Sequence, residues 1–440
     1  MKGNAMKTLK TIYMESEKEN YIDASLYPRY RVKAGLRNDN GTGVKVGLTK
    51  ICDVVGYQYI HGKKINVDGK LIYRGYSVQD LINDPNFAQL GNYERIAFLL
   101  IYGKLPNAEE LSLFTQELLK KRNLCNIDPK YQTTSILNGV QIEVLKLYGQ
   151  DPNPDSDTLE ERMLKGLSIL AQIPLITFSF FTGQQICEYP LPNKSLAENI
   201  LVMARGSNIY THQEARVMDT LLVLHADHGG GNNSTFANVV ISSTGTDIYS
   251  CISAAIGSLK GPRHGGASTK VYQQMKEILK VTKHSRDPEL MKNIAYQLLN
   301  KDFFDKSGLI YGIGHAIYTI SDPRCQCIKA ECKKLAKEKG QLDTFYTLEA
   351  FENAAIDVMK KEKGVTACAN VDFYSGFAYS MLGISESLFT PLFCISRTAG
   401  WIAHHLENRQ SNRKLIRPAN VYVGSLKKLE DDNHENDHSI

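Results

Sequence analysis

The sequence has no block of basic residues, no paired-cysteine motif and no secretory leader pattern. Its formal charge of +5 over 440 residues is mild, which argues against a nucleic-acid-binding protein. The nine cysteines form no CxxC pair, so a reduced, cytoplasmic environment is the simplest interpretation. The N-terminal region mixes acidic residues with lysines and has no apolar core, so neither a signal peptide nor a transit peptide is predicted.

Several catalytic signatures are absent as well. The chain contains no GxSxG, no GxxxxGK[ST] and no GxGxxG, and neither His225 nor His228 belongs to an HExxH motif. His225, Asp227 and His228 resemble metal ligands in spacing, but the set is incomplete, and no metal site is predicted. Acid-base chemistry is what remains.

The longest apolar stretch without a charge covers residues 166–187. It contains Gln172, Pro174 and Thr177, and no second stretch of this kind accompanies it. We therefore expect a buried central helix of a large helical domain, and no membrane span.

Helical periodicity dominates the rest of the chain, so the predicted fold class is mainly α. Capping boxes are predicted at Asp157 with Glu160 and at Ser195 with Glu198. An Asp68-Gly69 turn within residues 63–76 predicts a small N-terminal β-hairpin. The predicted helices cover residues 107–122, 248–259, 268–281, 288–300, 323–338, 348–362 and 391–408.

The chain changes character after His264, where shorter, lysine-rich helices begin. We expect residues 266–378 to form a smaller helical domain inserted into a large one made of residues 1–265 and 379–440. The active-site cleft is expected between the two domains.

Three glycine-rich polar clusters lie near that junction, in residues 224–267, 311–324 and 370–376. His264 is predicted just past a helix C-terminus, in a turn where other groups can approach closely. A single histidine is more often structural than catalytic. Here the other clusters add His315, Asp372 and Arg324.

These groups have a coherent chemical use. Asp372 could remove a proton next to a carbonyl while His264 donates a hydrogen bond to the enolate oxygen, and His315 could polarise a second carbonyl. Arg324, Arg397 and Arg417 would bind carboxylates through paired hydrogen bonds. The residues favour carbon–carbon bond formation on a polycarboxylate, but composition and spacing leave other acid-base reactions open.

The clusters together resemble the citrate synthase family, and the resemblance covers nearly the whole chain. The motifs that carry it are IYRGYSVQDL, ERIAFLLIYGKLP, HADHGGGNNST, GPRHGGA, GIGHAIYTISDPR, NVDFYSG, SRTAGWIAHH and the closing Arg417-Pro418. Each motif alone is weak, whereas their order and spacing together are specific.

The resemblance implies a role for each matching residue. His264 matches the histidine that stabilises the acetyl-CoA enol, Asp372 the general base and His315 the histidine at the oxaloacetate carbonyl. The remaining matches are His228, Arg324 and Arg397 as oxaloacetate ligands, Arg417 as an arginine from the partner subunit, and Gly308, Ile310, Gly312 and Gly314 in the loop that meets the adenine of CoA.

The resemblance also implies a mainly helical, two-domain homodimer that closes when oxaloacetate binds, with acetyl-CoA as co-substrate and no further cofactor. A dimer and a higher oligomer both remain open. No nucleic-acid or membrane partner is expected.

Two positions depart from the family pattern. Arg263 stands where an apolar residue is common, and Thr319 stands where a basic residue usually approaches the CoA phosphates. We expect Arg263 to supply the missing charge. His225 is interpreted as structural, and neither His404 nor His405 is assigned to catalysis.

Three alternatives stay open at this point. One is a 2-methylcitrate synthase, which runs the same chemistry on propionyl-CoA. A second is a non-catalytic regulator that binds CoA or a carboxylate, which should lack a member of the set His264, His315 and Asp372; none is missing. The third is a lyase running the reverse cleavage.

Overall fold

The computed structural model describes residues 20–85, 90–122, 127, 129, 135–411 and 414–425. Sixteen α-helices and one three-stranded antiparallel sheet lie in these residues, which confirms the predicted mainly α fold with a β-hairpin. The chain divides into two units. Gly47–Ile416 forms one of them, and Met1–Val46 with Arg417–Ile440 forms the other.

The smaller unit contains little regular structure in its described part. It has helix α1, Leu26–Arg29, and a 3₁₀ turn, Ala34–Leu36. An antiparallel bridge joins Arg37 and Gly43. All remaining elements belong to the larger unit.

The sheet consists of β1, Cys52–Ile60, β2, Lys63–Tyr73, and β3, Tyr76–Ser77. The turn between β1 and β2 is His61-Gly62, whose φ angles of 48° and 76° suit a two-residue hairpin turn. The predicted turn at Asp68-Gly69 is therefore wrong.

Asp68 and Gly69 lie inside β2 instead, at an irregularity of the ladder. The pairing changes from Val55 with Lys70 to Tyr57 with Asn66, so residues 67–69 form a bulge. A turn-type dipeptide in a strand marks such a bulge as readily as a turn.

The helices of the larger unit follow the sheet. They are α2 Val78–Asn83, α3 Asn92–Tyr102, α4 Ala108–Lys120, α5 Ile136–Gln150, α6 Leu159–Thr182, α7 Leu196–Arg205, α8 His212–His225, α9 Asn233–Ser242, α10 Ile248–Leu259, α11 Ala267–Thr282, α12 Pro288–Leu299, α13 Pro323–Glu338, α14 Leu342–Lys363, α15 Asp372–Met381 and α16 Phe389–Gln410.

Most predicted helix starts are confirmed by their caps. Asn107 and Ser195 form capping boxes at α4 and α7, and Asp247 caps α10. The box predicted at Asp157 is wrong by one position, because Thr158 accepts the capping hydrogen bond. Helix α14 also begins before residue 348.

Helix α6 contains most of the charge-free stretch. It is the one helix among the described residues that is long and apolar enough to cross a membrane, and 78% of its most apolar 18-residue window is buried inside the protein. The prediction of a buried central helix is confirmed, although the helix begins at Leu159 and ends at Thr182.

Helix α16 lies in the middle of the core and is buried along almost its whole length. It packs against α3, α6, α8, α9 and α10. Because apolar neighbours surround it, its few polar side chains, Arg397 and His404 among them, are held away from water. The proposed division of the chain at residues 266 and 378 stays a prediction.

Candidate active site

His264 lies in a tight turn between α10 and α11, as predicted. Its backbone N–H donates to Gly261 O at 2.9 Å, and the Gly265 N–H donates to Leu259 O at 3.0 Å. A Cβ atom on Gly265 would lie 2.9 Å from the Leu259 side chain, so only glycine fits there. The turn fixes the position of the imidazole.

The ring of His264 is held at its Nε2 edge. Nε2 lies 3.1 Å from both Asn232 Oδ1 and Ser234 Oγ, and the Trp401 indole N–H donates to that hydroxyl at 3.2 Å. Burial, together with the charge of Arg397, lowers the pKa of His264 to about 4. The imidazole is therefore neutral near pH 7.

His315 follows the glycine loop and is also held in a fixed orientation. Its Nδ1 accepts hydrogen bonds from the Ile317 and Tyr318 backbone N–H groups, both at 3.1 Å. Because Nδ1 accepts, the proton of the neutral ring lies on Nε2, which becomes a donor. The Tyr318 ring stacks on the imidazole, with 4.7 Å between the ring centroids.

Asp372 is brought next to the His315 loop by backbone pairing. An antiparallel bridge joins Ile313 and Ala369, and the Asn370 side chain donates to Gly314 O at 2.9 Å. Asp372 then opens α15, with its N–H donating to Asn370 Oδ1 at 3.0 Å.

Burial raises the pKa of the Asp372 carboxyl to about 6, although the charge of Arg324 acts in the opposite direction. A carboxylate with this pKa is a stronger base than an exposed aspartate and is still ionised at pH 7.

His228 lies close to His315. Its ring centroid is 5.1 Å from that of His315. Burial lowers the pKa of His228 well below its usual value, and the positive charges of Arg324 and Arg397 lower it further. His315 and Arg324 of the second cluster therefore lie near His228, and Arg324 in turn lies near Asp372 of the third cluster.

The segment before His228 is locked to the core. Burial alone would raise the pKa of Asp227, but the charge and hydrogen bond of His404, 3.1 Å away, lower it to about 2. The Tyr73 hydroxyl donates to Asp227 O at 3.0 Å. A Cβ atom on Gly400 would lie 2.3 Å from the Asp227 carboxylate, so α16 packs directly against this segment.

Two buried arginines lie near His228, and they differ in how many of their nitrogens are hydrogen-bonded. Arg324 is paired with Asp322, through its Nε at 3.1 Å and its Nη2 at 2.7 Å. Arg397 is 0% exposed and uses only its Nε, which donates to His225 O at 2.7 Å.

Arg397 Nη1 and Nη2, and His228 Nε2, are buried without a hydrogen-bond partner among the described residues. A buried guanidinium whose N–H groups lack acceptors is unfavourable. The arrangement is therefore suited to a bound carboxylate, which would accept two parallel hydrogen bonds from Arg397.

The chain is similar to known proteins over most of its length. The family model "Citrate synthase, C-terminal domain" matches residues 38–419. A citrate synthase of Haloferax volcanii is 34% identical over 81% of this chain and 90% of its own length. One from Deinococcus radiodurans is 35% identical with the same coverage.

The chain belongs to the citrate synthase family.

Solved structures show the same relationship. The citrate synthase of Thermoplasma acidophilum, in a ternary complex with carboxymethyl coenzyme A and oxaloacetate, has a TM-score of 0.74 and 26% identity, and the match covers 90% of this chain and 97% of that one. The similar proteins also include 2-methylcitrate synthase 1 of Corynebacterium glutamicum, 32% identical over 80% of this chain and 89% of its own. This citrate synthase family member is an acyltransferase of the citrate synthase type.

Sequence reasoning missed several groups that shape the site. Asp322 caps α13, and its carboxylate also holds the Arg324 side chain; the two-residue spacing of the pair was the available signal. Phe393 lies beneath both His225 and Arg397, with 4.6 and 4.7 Å to its ring. Phe393 lies outside the three clusters in the sequence, so their pattern did not indicate these contacts.

The predicted CoA-binding loop has backbone conformations that glycine adopts, and the Gln274 side chain holds it. Gly308, Gly312 and Gly314 have φ angles of 79°, 85° and 97°, which favour glycine. The Gln274 side chain donates to Leu309 O and accepts from the Tyr311 N–H, at 3.1 and 3.0 Å. Ile310, between them, is buried.

The remaining predicted residues lie elsewhere. Arg263 is exposed and makes no hydrogen bond or ion pair with the described residues. Arg417 belongs to the smaller unit, so its predicted role stays a prediction. His225 Nδ1 donates to Leu221 O at 2.7 Å, which fits the structural interpretation.

Proposed function

We propose that this protein condenses acetyl-CoA with oxaloacetate to give citrate and free CoA. The observation that carries the proposal is the buried Arg397 guanidinium, which has two nitrogens without a hydrogen-bond partner among the described residues and is near enough to His228 to lower the pKa of that imidazole. A small dicarboxylate with a central carbonyl would satisfy the guanidinium and His228 at once.

In the first step, Asp372 removes a proton from the methyl group of the thioester. Its raised pKa makes the carboxylate a better base than an exposed aspartate. His264 stabilises the enol oxygen through its Nδ1 edge. Its Nε2 lies within hydrogen-bond distance of Asn232 Oδ1 and Ser234 Oγ, which leaves Nδ1 as the ring nitrogen that faces the enol oxygen.

In the second step, the enol carbon attacks the oxaloacetate carbonyl. His315, with its proton on Nε2, donates to the carbonyl oxygen as negative charge develops there. His228, Arg324 and Arg397 bind the oxaloacetate carboxylates. Arg417 is proposed to complete the site of the partner subunit in a homodimer. Hydrolysis of the resulting thioester then releases CoA.

The proposal includes closure of residues 266–378 over the site. Closure would exclude water, strengthen the hydrogen bonds to the enol and protect acetyl-CoA from direct hydrolysis. The protein is proposed to act in the cytoplasm and to need no cofactor beyond its co-substrate.

A second candidate function is 2-methylcitrate synthesis from propionyl-CoA. It is favoured by the 32% identity to a curated 2-methylcitrate synthase. The two substrates differ by one methylene, worth about 1–3 kcal/mol in an apolar pocket.

We expect kcat/KM to be higher for acetyl-CoA than for propionyl-CoA when oxaloacetate is saturating, by about 10-fold or more. The measurement is the initial rate of thiol release over a range of each acyl-CoA. A preference for propionyl-CoA would establish the second function in place of the first.

Arg263 is proposed to contact a CoA phosphate in place of the basic residue missing at Thr319. Its side chain is exposed and next to His264. Replacing Arg263 with leucine should raise the KM for acetyl-CoA by about 10-fold, the effect of losing one hydrogen bond to a charged group. The KM for oxaloacetate should not change.

The matched control is Arg263→Lys, which keeps the positive charge and should lose less affinity. An acetyl-CoA KM equal to that of the wild type in Arg263→Leu would end this part of the proposal.

A further inference from the structure

We propose that the bulge of β2, residues 67–69, supports the loop of residues 315–324 and fixes its position. Gly69 and Ser321 then act as positioning residues for His315 and Arg324. This inference rests on the proposed function. It assigns a catalytic consequence to the hairpin, which the reaction itself does not explain.

Hydrogen bonds join the bulge to the loop at its far end. The Gly69 N–H donates to Ser321 Oγ at 3.0 Å, and that hydroxyl donates to Asp68 Oδ1 at 3.0 Å. The Tyr318 hydroxyl also donates to Lys70 O, at 3.3 Å. Ser321 is 9% exposed, so these bonds are protected from competition with water.

The two segments touch backbone to backbone. A Cβ atom on Gly69 would lie 2.1 Å from Ser321 O and 2.8 Å from the Tyr318 ring. On the opposite strand, a Cβ atom on Gly56 would lie 2.3 Å from Ile317 O. Any side chain at either position would push the loop away.

Both glycines lie where the ladder is irregular. The register changes between Val55 and Tyr57, which flank Gly56, and the bulge on β2 ends at Gly69. The bulge and the two missing side chains together form the surface on which the loop rests. This explains why an Asp-Gly dipeptide stands inside a strand rather than in the hairpin turn.

The loop residues that rest on the bulge also hold the catalytic groups or lie next to residues that do. The Ile317 and Tyr318 N–H groups bind His315 Nδ1 and so fix both its orientation and its tautomer. Ser321 directly precedes Asp322, whose carboxylate orients Arg324. A shift of the bulge would therefore displace His315, the proposed carbonyl-polarising group, together with Arg324, a proposed carboxylate ligand.

The test compares Gly69→Ala, Ser321→Ala and Ser321→Thr in the full-length protein. The readouts are kcat, the KM for oxaloacetate, the KM for acetyl-CoA and the thermal midpoint. The matched control is Gly149→Ala in α5, because a Cβ atom there meets nothing within 4 Å.

We expect Gly69→Ala to lower kcat by about 10²-fold, the effect of misplacing a catalytic group by about 1 Å. Ser321→Ala should lower kcat by about 10-fold, and threonine, which keeps the hydroxyl, should restore most of it. The KM for oxaloacetate should rise in both impaired variants, whereas that for acetyl-CoA should stay near the wild-type value. Gly149→Ala should behave like the wild type.

The inference is overturned if folded Gly69→Ala and Ser321→Ala keep the wild-type kcat and oxaloacetate KM, even with a lowered thermal midpoint. It is also overturned if threonine does not restore the activity that alanine loses. If Gly69→Ala does not fold, the two Ser321 variants decide the matter alone. A wild type that releases no thiol would refute the proposed function itself, and this inference with it.

Discussion

Replacing Asp372 with asparagine is expected to lower kcat for thiol release by about 10²–10⁴-fold, the usual contribution of a positioned general base. Asparagine has nearly the same shape, and the backbone hydrogen bond from residue 372 to Asn370 would remain. The KM for oxaloacetate should change little, because that ligand is bound by other groups.

The matched control is Asp302→Asn, a change at an exposed aspartate, which should keep the wild-type rate. An Asp372→Asn protein with more than about a tenth of the wild-type kcat would contradict the assignment of the base.

The same residue predicts a pH dependence. Asp372 acts only as the carboxylate, and burial raises its pKa to about 6. The kcat/KM should therefore fall as the pH drops through about 6 and should reach its plateau above that value. A profile that stays level down to pH 4 would show that this carboxyl does not limit the reaction.

The second large effect is expected for Arg397→Met. The side chain is fully buried, and two of its nitrogens await a partner, so most of the affinity for oxaloacetate should depend on it. Truncating one member of a buried charge pair costs about 2–5 kcal/mol, which corresponds to a rise in Kd of about 30-fold to several thousand-fold.

The same change should leave the ligand-free protein as stable as the wild type or more stable. The buried Arg397 N–H groups that lack acceptors oppose folding, and an apolar side chain of similar length relieves this. Arg397→Met is thus expected to raise the thermal midpoint without ligand and to abolish its increase with oxaloacetate.

For the wild type, oxaloacetate at 100 times its Kd should add about 2.7 kcal/mol to the free energy of unfolding. Arg397→Lys is the control, since it keeps the charge but not the planar pair of donors. If oxaloacetate stabilised Arg397→Met as much as the wild type, the carboxylate-binding role of Arg397 would be wrong.

Local patterns in the sequence predicted the elements that carry the site. Apolar spacing, an Asp cap and a Gly-Pro stop define α10 without any tertiary information, and His264 follows from them. The sequence also showed a glycine-flanked histidine, His264, and an aspartate, Asp372, whose side chains suit acid-base chemistry.

Other features depended on contacts between distant segments. Arg397 is made fully buried by the packing of α16, and its bond to His225 O joins residues 172 positions apart. The bulge at Gly69 is explained by Ser321, which is 252 residues away. Asp-Gly has the same local signature in a turn and in a bulge, so the sequence favoured the wrong one.

The burial that makes Asp372 a better base and leaves Arg397 unsatisfied has one physical origin, because both side chains lie in an environment that excludes water. This burial lowers the stability of the ligand-free protein, and it raises the affinity for oxaloacetate and the basicity of Asp372. For this reason Asp372→Asn is expected to lower kcat, whereas Arg397→Met is expected to raise the thermal midpoint of the ligand-free protein.

The most direct test is the release of free thiol from acetyl-CoA by the purified protein, measured with and without oxaloacetate, together with identification of the product. The account predicts release only when both substrates are present, with one citrate formed for each thiol. Absence of thiol release with both substrates present, or release that does not depend on oxaloacetate, would contradict it.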